Sequence, residues 1–439
     1  MMKNKLLSTI LFITATFSLS ACSLFNDDDI AIKNSYNPVV SEPEEDPDAL
    51  KISDDIVGHR VDAVPKAYCF KNIGYANNGV IPNTYKTGGA NENSFNPNGG
   101  KDYTGDKTSN NYDLYVPDEE LTPRNGKHVV ILFIHGGAWV SGFKTDVNPY
   151  VHEFARKGYI TATIKYTLLN RNMDDPSLSI FRNLDEIDAC IASIKNVLAK
   201  SALGFDTTKT ELVIGGASSG SHLAMLYTYS RGQNCPISPI KFVVNAVGPT
   251  DIKKEAWASF KNEENGLNQG LEKDQVDPAN LNPLGIAGEK DAAGNQLYWD
   301  EYQTIRIANG MCGMPSTKQE IEAAAVKDGE GKIVDVSPNA ATHKMTDTDG
   351  GEDQLSVTYW LKKNPNKIKM VAAYAGKDTI VGVNQFATLQ SAFEDKSYVK
   401  GTDYKYTYFK NCNHTQISAE ADTTAYEEFV NNIDAWCKA

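Results

Sequence analysis

Ser218 stands in Gly216-Ala217-Ser218-Ser219-Gly220, directly after the apolar run Glu211-Leu212-Val213-Ile214-Gly215 and before the helix-like Ser221-His222-Leu223-Ala224-Met225-Leu226. A strand, a G-x-S-x-G turn and a helix make a nucleophile elbow, which lifts the serine hydroxyl off the end of the strand toward an attacking position. The flanking glycines suit a turn too tight for side chains. A serine hydroxyl is a poor nucleophile near neutral pH, so the chemistry also requires a base to take its proton and a carboxylate to orient that base. Stabilising the anionic tetrahedral intermediate requires backbone N–H donors aimed at one point.

Seven histidines are available for the base. In sheets that carry such an elbow the acid and then the histidine follow the serine in chain order. His59, His128, His135 and His152 precede the elbow, His222 sits four residues along the elbow helix as a packing or helix-surface residue, and His343 comes before the strand expected to bear the acid. His414, just past the last strand in Asn411-Cys412-Asn413-His414-Thr415, remains. The strand ending at Tyr374 runs into Ala375-Gly376-Lys377-Asp378, which places Asp378 as the acid; Asp251, Asp349 and Asp353 precede that strand. His135-Gly136-Gly137-Ala138-Trp139 follows another strand, so the amides of Gly137 and Ala138, with that of Ser219, are the expected oxyanion hole, and His135 is expected to shape the loop. A capping role for Asp378 and a surface position for His414 are the plainer alternatives.

The elements that must position these residues are legible as alternating short apolar runs and longer amphipathic ones, the mark of a largely parallel sheet with crossover helices. Strands are predicted over 129–134, 159–164, 211–215, 242–247, 368–374 and 404–409, with helices over 150–157, 385–393 and 425–436. A long helix is predicted from Leu184 to Leu203, since Leu184, Ile187, Ile191, Ile194 and Leu198 recur at helical spacing while Asp185, Glu186, Asp188 and Lys195 lie between. Residues 91–111 read as a long surface loop. Residues 251–336 form a polar insertion with scattered aromatics, placed either to cover the site as a cap or to elaborate the surface.

Together His135 to Trp139, the elbow with His222-Leu223-Ala224, Gly376-Lys377-Asp378 and His414 resemble the HGGxW-type α/β-hydrolase esterases. That group includes hormone-sensitive-lipase-like carboxylesterases, kynurenine formamidase-like enzymes, and bacterial feruloyl and acetyl-xylan esterases. Asp113-Leu114-Tyr115-Val116-Pro117 and Tyr166-Thr167-Leu168 resemble the motifs flanking the oxyanion loop there, whereas Phe143 and Thr167 stand where many relatives carry Asp and Arg. The resemblance implies an α/β-hydrolase fold, helices on both faces of a mostly parallel sheet, and cofactor-free ester hydrolysis through an acyl-enzyme. Acetyl or feruloyl groups on polysaccharides are one implied substrate class. A short-acyl carboxylesterase, a formamidase-like amidase and a non-catalytic binding protein on the same fold are the alternatives.

Lys3 and Lys5 followed by the apolar run Leu6 to Leu19 read as an export signal. Leu19-Ser20-Ala21-Cys22 resembles the lipobox of bacterial lipoproteins, which implies cleavage before Cys22 and a lipid on its thiol and amino group. By the same resemblance Ser23 after the cysteine implies sorting to the outer membrane, and the acidic Asp27-Asp28-Asp29 either resembles a surface-export tag or is a solvated segment, so the periplasmic face and the cell surface both stay open. The expected organisation is a signal peptide over 1–21, a polar tether over 22–55 and a hydrolase domain over 56–439. Without Lys3 and Lys5 the 43 basic residues become 41 against 56 acidic, a net charge of −15 in place of −13. That excess argues against nucleic acid as a partner and leaves the lipid as the membrane attachment. The six cysteines beyond Cys22 lack C-x-x-C spacing, so no metal site is expected and disulfides are permitted, with Cys412 a candidate to brace the His414 loop.

Overall fold

The computed structural model describes residues 48–75, 110–118, 126–169, 178–252, 309–313, 325–327, 333–336, 354–378, 380–381 and 384–439. These lie within one compact unit, Glu45–Ala439. Cys22, the expected signal and the expected tether as far as residue 47 fall outside the described residues, as do His343, Asp349, Asp353 and most of the 91–111 and 251–336 stretches, while Leu50–Ser53, expected within the tether, is a strand paired into the sheet.

Three N-terminal strands, β1 (Leu50–Ser53), β2 (Ile56–Val61) and β3 (Val64–Gly74), pair antiparallel in succession, and β4 (Asn111–Pro117) continues the antiparallel series. The chain then alternates strand and helix through β5 (His128–Ile134), α1 (Asn148–Arg156), β6 (Ile160–Lys165), α2 (Ile180–Leu198), β7 (Thr210–Ala217), α3 (Ser219–Arg231) and β8 (Ile240–Ala246). Two short strands, β9 (Ala325–Lys327) and β10 (Ile333–Val336), pair with each other apart from the main sheet. The last elements are α4 (Val357–Lys363), β11 (Lys369–Ala375), α5 (Asn384–Asp395), β12 (Tyr404–Phe409) and α6 (Thr423–Lys438).

The main sheet has ten strands in the order β1-β2-β3-β4-β6-β5-β7-β8-β11-β12, parallel from β6 onward. Strands buried on both faces must be apolar throughout rather than alternating. His128–Ile134 meets that demand: Val130, Leu132 and Ile134 face the layer that holds α2, α3, α4 and α5, and Val129, Ile131 and Phe133 face the layer of α1 and α6. This is the α/β-hydrolase fold expected. The chain leaves β5 toward β6 on one side and reaches β7 on the other, and in open parallel sheets ligands bind at such a switch point, beyond the carboxyl ends of the strands.

The predicted strands and helices fall within a few residues of those observed, with larger shifts in α2. That helix begins at Ile180, four residues earlier than the apolar spacing suggested, because the Ser179 hydroxyl accepts the Arg182 N–H and caps it. It ends at Leu198, before a turn in which Leu203 and Gly204 both bond to the Lys200 carbonyl. The acidic residues between its apolar positions are also not a solvated stripe. Glu186 is wholly buried, and Asp185 is buried against Arg231 at 2.5 Å.

Candidate active site

The Thr210–Ala217 strand ends in a residue that could not continue it. Ser218 has φ 53° and ψ −124°, a left-handed conformation costly for a residue with a Cβ, and α3 starts at the next position. The strain is held by backbone pairing: the Ser218 N–H donates to Ala246 O at 2.8 Å and its carbonyl accepts the His222 N–H. Ser221, wholly buried one turn along, bridges Gly216 and Ala246 through its hydroxyl. Gly220 permits the helix to press against the neighbouring strand, since a Cβ there would lie 2.1 Å from the Ile134 carbonyl oxygen.

His414 and Asp378 meet Ser218 from the ends of β12 and β11. His414 Nε2 lies 2.8 Å from Ser218 Oγ, and His414 Nδ1 lies 2.7 Å from Asp378 Oδ2. A carboxylate facing Nδ1 accepts a hydrogen bond from the N–H there, which leaves Nε2 as an acceptor facing the serine hydroxyl. The other carboxylate oxygen, Oδ1, accepts the N–H groups of Ile380 and Val381, both at 2.8 Å. Asp378 therefore caps its own turn and orients His414 at once, so the plainer capping alternative and the functional one coexist. Its side chain is wholly buried, and that of His414 is only slightly exposed.

Backbone bonds join the acid and base loops. Gly376 N–H donates to Phe409 O and Lys377 N–H to Cys412 O, each at 2.9 Å. The expected disulfide brace is not found: Cys412 is a free, buried thiol, as are Cys69, Cys190, Cys235, Cys312 and Cys437. The loop is held through the main-chain carbonyls of Phe409 and Cys412 instead.

The turn after β5 runs beside the serine. Gly137 (φ 112°), Ala138 (φ 52°) and Trp139 (φ 64°) are all left-handed, and a Cβ on Gly137 would sit 2.1 Å from the Ser141 carbonyl oxygen. Gly137 O accepts the N–H groups of Val140 and Ser141 and the Ser141 hydroxyl, which turns that carbonyl inward to its own loop. Among the described residues no backbone carbonyl takes the N–H of Gly137 or Ala138, and Ser219 opens α3, where the N–H has no partner within the helix. Gly136 is close enough that a Cβ on it would fall 3.1 Å from Ser218 Cβ. The turn after β5 and the start of α3 thus both adjoin Ser218 at the switch point.

His135 and His222 are structural, as expected, and neither lies on a helix surface. Both are wholly buried, and burial lowers each imidazole to about 4, so both are neutral at ordinary pH. His222 Nε2 pairs with Leu355 O at 2.8 Å, and its ring meets Trp139 edge-on at 5.3 Å, which ties the elbow helix to the turn after β5. His152 lies 3.0 Å from the Tyr115 hydroxyl, on α1. Asp251 is clamped to Gln385 through its own N–H and carbonyl. Two contributors had no assigned role in the sequence: Tyr166, whose ring stacks on His135 at 4.3 Å and whose hydroxyl donates to His135 O, and Glu186, paired with Thr167. Tyr166-Thr167-Leu168 stood out as a motif, whereas nothing in helical spacing distinguishes a buried glutamate from a solvated one. Among the described residues no His, Cys, Asp and Glu cluster could hold a metal ion.

Residues 112–283, less than half of the chain, match the model of the BD-FAE family, α/β-hydrolase esterases. A probable isoprenylcysteine alpha-carbonyl methylesterase of Oryza sativa subsp. japonica is 32% identical over 120 residues, which are 27% of this chain and 25% of that protein. A non-reducing polyketide synthase of Stereocaulon alpinum is 25% identical over 150 residues, 33% of this chain and 6% of that one. The chain thus spans a quarter or less of the length of these curated relatives. Among solved structures, an inhibited esterase B from Lactobacillus rhamnosis aligns with 87% of this chain and 90% of its own at 13% identity, with a TM-score of 0.47. A truncated carbohydrate esterase from gut microbiota aligns with 87% and 100% at 13% identity and a TM-score of 0.46. The chain carries an esterase-like α/β-hydrolase fold.

Proposed function

We propose that this chain is a serine esterase that hydrolyses carboxylic esters through an acyl-enzyme, with Ser218 as nucleophile, His414 as base and Asp378 as its orienting acid. The observation that carries the reading is the unbroken relay from a strained Ser218 through His414 to a buried Asp378, at 2.8 and 2.7 Å. In the first half-reaction Ser218 Oγ bonds to the ester carbonyl carbon as its proton passes to His414 Nε2. The oxyanion then rests on the Gly137, Ala138 and Ser219 amides. Collapse breaks the carbon–oxygen bond to the alcohol, which leaves with the proton from His414. Water repeats the sequence on the acyl-serine and releases the carboxylic acid, while Asp378 holds His414 through the Nδ1 hydrogen bond.

The finer reading is an enzyme exported and lipid-anchored at Cys22, tethered in the cell envelope with its site directed at polysaccharide esters such as acetyl or feruloyl groups. The lipobox-like Leu19-Ser20-Ala21-Cys22, the polar stretch after it and the resemblance to esterases of that class support it. Protein lacking the residues through Cys22, assayed on p-nitrophenyl acetate, butyrate and octanoate, acetylated xylan and methyl ferulate beside Ser218→Ala, tests both levels. The expected result is turnover of short esters that falls by about 10⁶ in the variant. Activity that survives Ser218→Ala refutes the mechanism, and wild-type protein inert on every ester favours a binding role for the fold.

A further inference from the structure

The turn that would hold the oxyanion is made of three consecutive left-handed residues, two of them not glycine. Such backbone persists only where its surroundings over-determine it. The holding segment is Tyr166 to Leu169. Tyr166 grips the start of the turn by stacking on His135 and donating to its carbonyl, and Leu169 N–H donates to Trp139 O at 2.8 Å, gripping the end. Between them Thr167 turns its N–H, hydroxyl and carbonyl to α2, its hydroxyl oxygen also accepting from Asn110 Nδ2 at 3.5 Å. Its N–H donates to Glu186 Oε2 at 2.6 Å, its hydroxyl to Glu186 Oε1 at 2.5 Å, and its carbonyl accepts the Asn183 amide at 2.7 Å. Both oxygens of a wholly buried carboxylate thus fix Thr167, the first of the two residues that join the grips.

We propose that Glu186 is a positioning residue for the oxyanion turn, acting through Thr167 and touching no substrate itself. The idea rests on the esterase reading for its catalytic consequence, since the donors it positions act on the transition state. The carboxylate suits the task because both of its oxygens only accept, matching two donors on Thr167. A protonated acid must donate from one oxygen, so one of the two bonds is lost or reversed.

The groups facing Glu186 leave it as the titrating member of the cluster. Arg182 Nε lies 3.6 Å from Oε1 on the same helix, and guanidinium does not lose its charge in proteins. Tyr75 from the end of β3, Tyr166 from the holding segment and Cys190 one turn along α2 are all pushed up by burial and stay neutral, and Lys144 acts on Cys190 from a distance. Burial raises the Glu186 carboxyl to about 7, the Arg182 charge opposing.

The test uses the enzyme lacking residues through Cys22, with Glu186→Gln, Thr167→Val and the conservative Thr167→Ser. On p-nitrophenyl acetate kcat should fall ~10- to 100-fold in the first two at nearly unchanged KM, and Thr167→Ser should retain it. On a logarithmic plot the acid limb of wild-type kcat should be steeper than that of Glu186→Gln, which lacks the titrating carboxyl. Hydrogen exchange over residues 135–142 should be faster in Glu186→Gln and Thr167→Val, with other core peptides unchanged. Exchange there equal to wild type in both variants, or kcat equal to wild type in Glu186→Gln, overturns the proposal. Wild-type protein that turns over no ester would refute the esterase reading alone, and the exchange measurement would still decide whether Glu186 holds the turn.

Discussion

The burial that makes Glu186 useful has a thermodynamic consequence open to direct measurement. In the folded chain the carboxyl is held at about 7 against the usual 4.5. Across that interval the folded state retains a proton that the unfolded chain has released, so stability falls as pH rises, by about 1.4 kcal/mol per pH unit. Between about pH 5 and about pH 8 the loss from this residue amounts to about 2 to 3 kcal/mol. Wild-type protein alone does not report it, because His135 and His222, lowered to about 4 by burial, act in the opposite sense and lose stability as pH falls below the usual 6.5. Comparison with Glu186→Gln cancels them, since both chains share both histidines. Urea unfolding of the two proteins across this range should show the Gln variant gaining about 2 to 3 kcal/mol on wild type from acid to alkaline pH. A difference that stays constant with pH would refute the argument, because it would mean that the buried carboxyl titrates as an exposed one does. A gain in alkaline stability alongside a loss of kcat would identify Glu186 as a site where stability is sacrificed to activity.

Three further outcomes follow from the same geometry. Asp378→Asn keeps the Oδ1 bonds to Ile380 and Val381 but presents an amide donor to His414 Nδ1, so kcat should drop by ~10⁴ with the thermal midpoint little changed; a loss under about tenfold would move the acid elsewhere. Gly136→Ala places a Cβ 2.9 Å from the Ala217 carbonyl oxygen and 3.1 Å from Ser218 Cβ, and the displaced nucleophile should lower kcat by about 10² while the protein still folds, as circular dichroism would verify. Lys144, buried and 2.9 Å from the equally buried Asp113, is bonded also to Asn72 and Asn111; Lys144→Met should cost about 3 to 5 kcal/mol in urea unfolding, and adding Asp113→Asn should recover part of it.

The meeting of Ser218, His414 and Asp378 was legible because it is a property of topology. A strand-turn-helix around Ser218, with acid and base on the loops after later strands, follows from how a parallel sheet gathers the carboxyl ends of its strands, and elimination of histidines by chain order leads to His414. Strands β5 to β8, β11 and β12 were equally legible, since burial on both faces writes itself as unbroken apolar runs such as Val129–Ile134, whereas the short β9 and β10 went unpredicted within the polar insertion. Polar groups buried by tertiary contact were not. Glu186 and Asp185 lie between apolar positions of α2 and look solvated in one dimension, yet Thr167 and Arg231 reach them from segments 19 and 46 residues away. The Cys412 brace failed for a related reason: a cysteine near a functional loop carries no information about a partner, whereas the main-chain bonds that do the holding leave no trace in side-chain identity.

Ser218 and His414 are 196 positions apart, and the strands that deliver the acid and base, β11 and β12, are the last to join one edge of the sheet. The nucleophile elbow rests on contacts among β5, β7 and β8, so it can form well before those strands arrive. A chain emerging from the ribosome, or threading a membrane from its N-terminus, would therefore carry a shaped elbow but no base until nearly all of it had passed. Hydrolytic competence would appear late and in a single step with the docking of β12, so that acquisition of activity marks completion of the fold.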